Sequence, residues 1–210
     1  MSEQSFKQNE HPSGKARREL HRAECIAVVG IGACALIPHG GNADVYGVSV
    51  YGVHLSTLPI YGATYLLCAY FLFRAGSTVS LDRHERLVRT ALWGTGAGLT
   101  LLLITPFTID TFFNWTHMVI GAAFFAFDMF VGVVLAASGA SSRWAIVAVG
   151  IQLVGGLLSA GSLPNHALTL MIQGEALFQI GFAMILEIWL RDAESATLPP
   201  STAIEQRRDT

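Results

Sequence analysis

The chain has 210 residues, of which 52% are hydrophobic and only 13% are charged. Its apolar runs are too long for the core of a soluble domain, and this composition is typical of a polytopic membrane protein. The formal net charge of -2 says little about such a protein, and no nucleic-acid partner is expected. Cys25, Cys34 and Cys68 have neither CxxC nor metal-type spacing, so they are interpreted as small packing residues.

Six apolar segments predict an all-α protein, a bundle of six transmembrane helices, since about 20 residues cross a bilayer as a helix. The predicted spans are about 23–38, 57–73, 90–108, 117–138, 144–162 and 167–190. Residues 1–22 are predicted to be a disordered basic tail, and residues 191–210 a disordered polar tail. The glycine-rich segment 39–55 between the first two spans predicts either a short hairpin or an irregular loop.

The distribution of basic residues predicts the orientation. With the N-terminus inside and six crossings, all thirteen Lys and Arg residues fall on the cytoplasmic side or at its interface. The outer loops keep Asp44 and Asp110 as their only charges. We therefore expect a multi-pass protein of the plasma membrane with both termini cytoplasmic.

The fourth span is unusual because it carries Asp128 near its middle and His117 at its start. A charge at that depth costs several kcal/mol, so it is commonly functional. Eleven residues at about 100° each make three turns plus roughly 20°, so the two side chains are predicted to share one face.

Other polar side chains lie in neighbouring spans. Glu175 is about 12 Å below the outer end of the sixth span, Gln179 is one turn further on the same face, and Gln152 lies in the fifth span. These three and Asp128 predict an inward polar cluster, because groups buried in the membrane must bond one another. One interpretation is that the cluster only holds helices together, with its carboxyl groups partly protonated.

The functional interpretation is a cavity open to the outer leaflet. Asp128 and Glu175 would form its floor, and His117, Asp110 and the outer loop its rim, around a lipid headgroup or another amphiphile. We expect a non-enzymatic binding protein of this kind, with no cofactor. Glycine-rich helix faces, such as that of Gly94 and Gly98, are also consistent with a homo-oligomer.

Two alternatives stay open. Asp128 or Glu175 could act as general acid in a membrane-embedded isomerase or cyclase of an apolar, terpene-like substrate. The outer histidines could bind a metal or haem in a redox subunit, although no HxxxH or HExxH motif occurs. The candidate metal ligands are His39, His54, His117 and His166.

The segment 105–129, TPFTIDTFFNWTHMVIGAAFFAFDM, resembles part of the damage-regulated autophagy modulator (DRAM) superfamily, bacterial branch. In those six-span proteins a histidine opens the fourth helix, here His117, and an acidic residue lies in the last span, here Glu175 in QGEALFQIGFA. The resemblance implies a six-span fold and a role for these two residues. The first outer loop departs from the family pattern, since it has HGGN at 39–42 in place of a Ser-Asp-x-Gly type of motif.

Overall fold

A computed structural model describes residues 12–79, 85–107, 110–138, 143–163 and 168–197 of the chain. These residues form seven α-helices and one short 3₁₀ helix, and no β-strand occurs among them. The α-helices are α1 (Pro12–Leu36), α2 (Ala43–Tyr46), α3 (Leu58–Thr78), α4 (Glu85–Ile104), α5 (Thr111–Ser138), α6 (Arg143–Ser162) and α7 (Met171–Thr197), and the 3₁₀ helix is Val48–Gly52.

Five helices, α3 to α7, are long and apolar enough to cross a membrane. Many of their large apolar side chains point away from the bundle; Ile146, Phe130 and Leu157 are each more than 60% exposed. Water would penalise such a surface, whereas lipid does not. The all-α prediction is confirmed for the described residues, and five helices of this length and apolarity are consistent with a multi-pass membrane protein.

Helix α1 differs from the prediction. It is one continuous helix from Pro12 to Leu36, so the part of the predicted disordered tail from residue 12 onward is helical. Ala16, Leu20 and Ala23 are buried at spacings of four and three residues, which makes an apolar stripe facing the bundle. Charged residues surround this stripe, and they are the reason that the sequence predicts a disordered tail here.

Helix α1 packs along α3. The Cys68 thiol donates a hydrogen bond to the Ala23 carbonyl at 3.3 Å, and further along α1 Gly30 lets Thr64 approach its backbone. Near the end of α1, Cys34 is fully buried beside Thr57. The helix therefore runs beside an apolar neighbour for the whole length of its own apolar half.

The start of α1 and the end of α7 meet at one end of the bundle, called here the terminal end. Arg17 forms ion pairs with Glu187 and, at 3.4 Å, with Glu194. Buried Glu19 accepts hydrogen bonds from Arg22 and is paired with Arg74 of α3 at 3.3 Å. Because α7 continues to Thr197, residues 191–197 of the predicted disordered tail are also helical.

The opposite end, called the loop end, is covered by residues 42–57, the cap segment. It forms neither a hairpin nor an irregular loop, but α2 followed by the 3₁₀ helix. The side chain of Asn42 accepts a hydrogen bond from the Asp44 N–H and so begins α2. Gly47 separates the two short helices with φ 69°, a backbone conformation that favours glycine.

Glycines bring α6 and α7 into backbone contact. A side chain at Gly155 would clash with backbone atoms of Phe178 and Gly174, and one at Gly181 with backbone atoms of α6. Gly94 and Gly98 of α4 similarly accommodate aromatic rings of α5. The glycine face around Gly94 and Gly98 is thus in contact with another helix of the same chain.

Candidate functional site

Asp128 is fully buried in the middle of the bundle. Its Oδ1 accepts a hydrogen bond from the Thr95 hydroxyl at 3.0 Å, and its backbone carbonyl accepts one from Gln152 Nε2, also at 3.0 Å. The Gln179 side chain faces the same carboxyl group. Three of the four residues of the predicted inward cluster therefore come together, and they join α5 to α6 and α7.

The Asp128 cluster is closed to solvent, because Asp128 and Gln152 are both 0% exposed. Asp128 Oδ2 and Gln152 Oε1 make no hydrogen bond of normal geometry with the described residues. Thr95 was not predicted, because it lies between glycines in the stretch GTGAG that was interpreted only as a packing face. A hydroxyl among those glycines is the sequence signal that could have indicated a further partner for Asp128, beside Gln152 and Gln179.

Glu175, the fourth member of the predicted cluster, has different partners. Its Oε2 accepts a hydrogen bond from the Val48 N–H at 2.7 Å, and its carboxylate lies against Gly47, where a Cβ would collide with it. Two residues earlier, Gln173 Nε2 donates to Asp44 Oδ1 at 2.9 Å. Glu175 thus fastens the cap segment to α7.

His117 connects the cap segment to α5. Its Nδ1 lies 2.5 Å from the Thr105 carbonyl oxygen, so we assign the proton to Nδ1, which donates this bond. Nε2 then accepts a hydrogen bond from the Ser49 hydroxyl at 2.9 Å. Both ring nitrogens are therefore engaged in positioning α5 against the loop end.

An open cavity of about 720 Å³ lies at the loop end, between the cap segment and the start of α5. We call it the loop-end groove. It is lined by Gly40, Gly41, Tyr46, Val50, Val53, His54, Phe107, Asp110, Thr111 and Asn114. Asp110 and His54 are predicted site residues, whereas Asp128 and Glu175 lie outside the lining.

This arrangement corrects the predicted cavity. Asp110 and the outer loop do form a rim, but the predicted floor of Asp128 and Glu175 is absent from the groove. The two acids belong to separate hydrogen-bond groups, one inside the bundle and one beneath the cap segment. The physical reason is that the cap segment packs down onto α7, and Glu175 is used to satisfy a backbone N–H there.

Asp110 combines an exposed carboxylate with a structural role. Its Oδ1 accepts a hydrogen bond from the Phe113 N–H at 2.8 Å, which caps the N-terminus of α5. This cap explains why α5 begins at Thr111, six residues before the predicted span. Next to it, the rings of Tyr46 and Phe107 stack with centroids 5.9 Å apart at an interplanar angle of 24°.

Two of the predicted metal ligands are neighbours. The His39 and His54 rings lie 5.7 Å apart, and His39 also stacks on Tyr51 at 5.0 Å. His117 is engaged elsewhere, and His166 lies outside the described residues. Within the part of the chain that the structure describes, no group of three or more His, Cys, Asp or Glu side chains is placed to hold a metal ion.

Comparison of the chain with protein-family models, with curated proteins and with solved structures gives no match. The resemblance of the segment 105–129 to the DRAM superfamily therefore stays a prediction.

Proposed function

We propose that the chain crosses the plasma membrane six times, with α1 as the first span and both termini cytoplasmic. The start of α1 and the end of α7 lie together, which an even number of crossings requires. In each helix, every Lys and Arg among the described residues lies in the half nearer the terminal end. Because cytoplasmic ends of membrane proteins are rich in Lys and Arg, this distribution supports a cytoplasmic location of the terminal end. Helix α1 is not among the five helices that are apolar enough to cross a membrane over their whole length, because its first half carries charged residues.

The proposed activity is non-enzymatic: the loop-end groove binds the head of a lipid or another amphiphile from the outer leaflet. The observation that carries this proposal is the groove itself, whose volume of about 720 Å³ falls in the range of small-molecule sites, roughly 300–1,000 Å³. Its wall combines apolar side chains such as Val50 and Val53 with the carboxylate of Asp110 and the amide of Asn114. An amphiphile needs this combination of surfaces.

His117 and Glu175 support the site without lining it. Each bonds to the cap segment, the first through Ser49 and the second through the Val48 N–H. We therefore assign them the role of positioning residues that hold one wall of the groove. This role would account for both residues on which the family resemblance rests.

The test is the lipid content of the full-length protein purified in a mild nonionic detergent. Wild-type protein should carry a bound amphiphile detectable by native mass spectrometry. Val53→Trp places a large ring in the groove and should remove that species. The matched control is Leu157→Trp on the exposed face of α6, which should leave the bound species in place.

The proposal is wrong if Val53→Trp and Leu157→Trp retain the same species in the same amount while both proteins stay folded. Helix content by circular dichroism and elution as a single species establish that both variants are folded. His117→Ala should reduce retention partly, because it releases the Ser49 contact without filling the groove.

A further inference from the structure

The loop end is poor in positive charge. No Lys or Arg among the described residues lies there, and the groove wall carries one carboxylate, Asp110, with Tyr46 and His54 as its other titratable groups. Asp44 lies nearby on α2, outside the lining. A ligand entering the groove therefore meets a field of negative sign.

The N-terminus of α5 does not reverse that sign. Free N–H groups at a helix N-terminus attract anions. Here Asp110 already accepts the hydrogen bond of the Phe113 N–H, and its own negative charge stands where an anion would bind. An anionic headgroup would therefore be repelled by the residue that caps the helix.

Aromatic rings supply a second attraction for a cation. Tyr46 and Phe107 stack in the groove wall, and Tyr46 is 50% exposed. The face of an aromatic ring carries negative electrostatic potential and attracts ammonium groups within about 6 Å of its centroid. A groove wall that carries both a carboxylate and aromatic rings is a combination that recognises alkylammonium heads.

We infer that the loop-end groove selects amphiphiles with a cationic ammonium head, which pairs with Asp110 and lies against the rings of Tyr46 and Phe107. The first carbons of the tail contact Val50 and Val53, which line the same groove. This inference rests on the proposed function and adds the chemical class of the ligand.

The experiment compares two amphiphiles of equal chain length, an alkyltrimethylammonium and an alkyl sulfate. Each is titrated into the full-length protein in an uncharged maltoside detergent, and bound molecules are counted by native mass spectrometry. Tetramethylammonium, which has the head without a tail, is a third arm. We expect saturable binding of the alkyltrimethylammonium, weaker binding of the alkyl sulfate, and little binding of tetramethylammonium.

Two variants locate the binding. Asp110→Asn removes the charge but keeps a good helix cap, so it should weaken alkyltrimethylammonium binding about three- to tenfold without unfolding α5. Phe107→Leu should weaken it roughly two- to fivefold. The matched control is Asp192→Asn, which removes the same charge from the exposed terminal end of α7 and should leave the affinity within about twofold.

The outcomes separate the two proposals. Equal or tighter binding of the alkyl sulfate, or equal losses in Asp110→Asn and Asp192→Asn, would overturn the cationic selectivity while leaving a groove that binds amphiphiles. Tight binding of tetramethylammonium alone would show that the ligand is a soluble cation and would overturn the proposal that it is an amphiphile. Absence of saturable binding in every arm, together with no lipid retained on purification, would overturn both.

Discussion

At the scale of single residues, three acidic side chains are used in three different ways. Asp128 joins helices through Thr95 and Gln152 deep inside the bundle. Glu175 instead satisfies a backbone N–H of a covering segment, and Asp110 caps a helix while facing a groove. Residue type and depth are therefore insufficient to assign a role, because the partner decides it.

Glu175 tests how the cap segment is held. Glu175→Ala removes the acceptor of the Val48 N–H and should lower the free energy of unfolding by about 1–3 kcal/mol. Glu175→Gln retains an oxygen acceptor and should lose less. Hydrogen exchange measured by mass spectrometry should show faster exchange of peptides covering Val48–Gly52 in the alanine variant. Unchanged protection there would contradict the role of Glu175.

Gly47 gives a second test at the same contact. Gly47→Ala forces a Cβ toward the Glu175 carboxylate and places alanine at φ 69°, so we expect a loss of about 1–3 kcal/mol. Gly32→Ala is the control, since a Cβ there meets no atom within 4 Å in a helix. A melting temperature lowered in the first variant and kept in the second is the expected result. Equal melting temperatures would show that the contact contributes little.

At the scale of elements, α6 and α7 share the most extensive helix–helix contact among the described residues, and their backbone atoms take part in it. Membrane helices lack a strong hydrophobic drive toward one another, so they gain from close van der Waals contact at small residues. Gly155 of α6 and Gly174 of α7 provide that contact, with Gly181 two turns further on. The pair α6 and α7 is thus expected to behave as one rigid unit.

Two glycines of α6 allow a matched comparison. Gly155→Ala directs a methyl group at backbone atoms of Phe178 and Gly174, which cannot rotate away, and should cost roughly 1–3 kcal/mol. Gly150→Ala meets no atom within 4 Å and should leave stability unchanged or slightly higher. Thermal unfolding in detergent, followed by circular dichroism, measures both. A Gly155→Ala variant as stable as Gly150→Ala would rule out the backbone contact.

Helix α1 is held by the ion pairs of Glu19. Its carboxylate is 1% exposed, and Glu19→Gln would remove the charge that pairs with Arg22 and Arg74. Both arginines are about half exposed, so we expect a moderate loss of about 1–2 kcal/mol, less than for a fully buried pair. Limited proteolysis should then cut the start of α1 more rapidly. Glu24→Gln, which loses only a contact with His21 on the same helix, should resist proteolysis like the wild type.

At the scale of the whole molecule, the two ends of the bundle differ in charge and in structure. The terminal end carries the arginines and their ion pairs, and the loop end carries the cap segment and the groove. Lipid-facing apolar side chains lie between these ends. The groove therefore opens at one end of the bundle, and in the proposed six-span topology that end faces the outside.

Cysteine labelling tests the orientation. In a background with alanine at the three native cysteines, Leu55→Cys places a thiol at the loop end, where Leu55 is 88% exposed. Lys15→Cys and Ser195→Cys place thiols at the exposed terminal end. A membrane-impermeant maleimide added to intact cells should label only Leu55→Cys, and the other two should react after permeabilisation. Labelling of Lys15→Cys together with Leu55→Cys in intact cells would contradict six crossings.

The sequence by itself determined the helical class, the apolar segments and the inward position of Asp128, Gln152 and Gln179, because hydrophobic length and helical periodicity are local properties. It also predicted a glycine face around Gly94 and Gly98, since small residues at helical spacing let a neighbouring helix approach closely.

Only the tertiary structure decided what each polar group bonds to. The segment 12–36 forms a helix because its stripe of Ala16 and Leu20 is buried against neighbours distant in sequence. Glu175 bonds to the cap segment instead of joining the Asp128 cluster, and the position of the cap segment follows from contacts with α5 and α7. Pairing between distant segments is set by three-dimensional packing. Local properties of the sequence, such as hydrophobic length and helical periodicity, do not specify it.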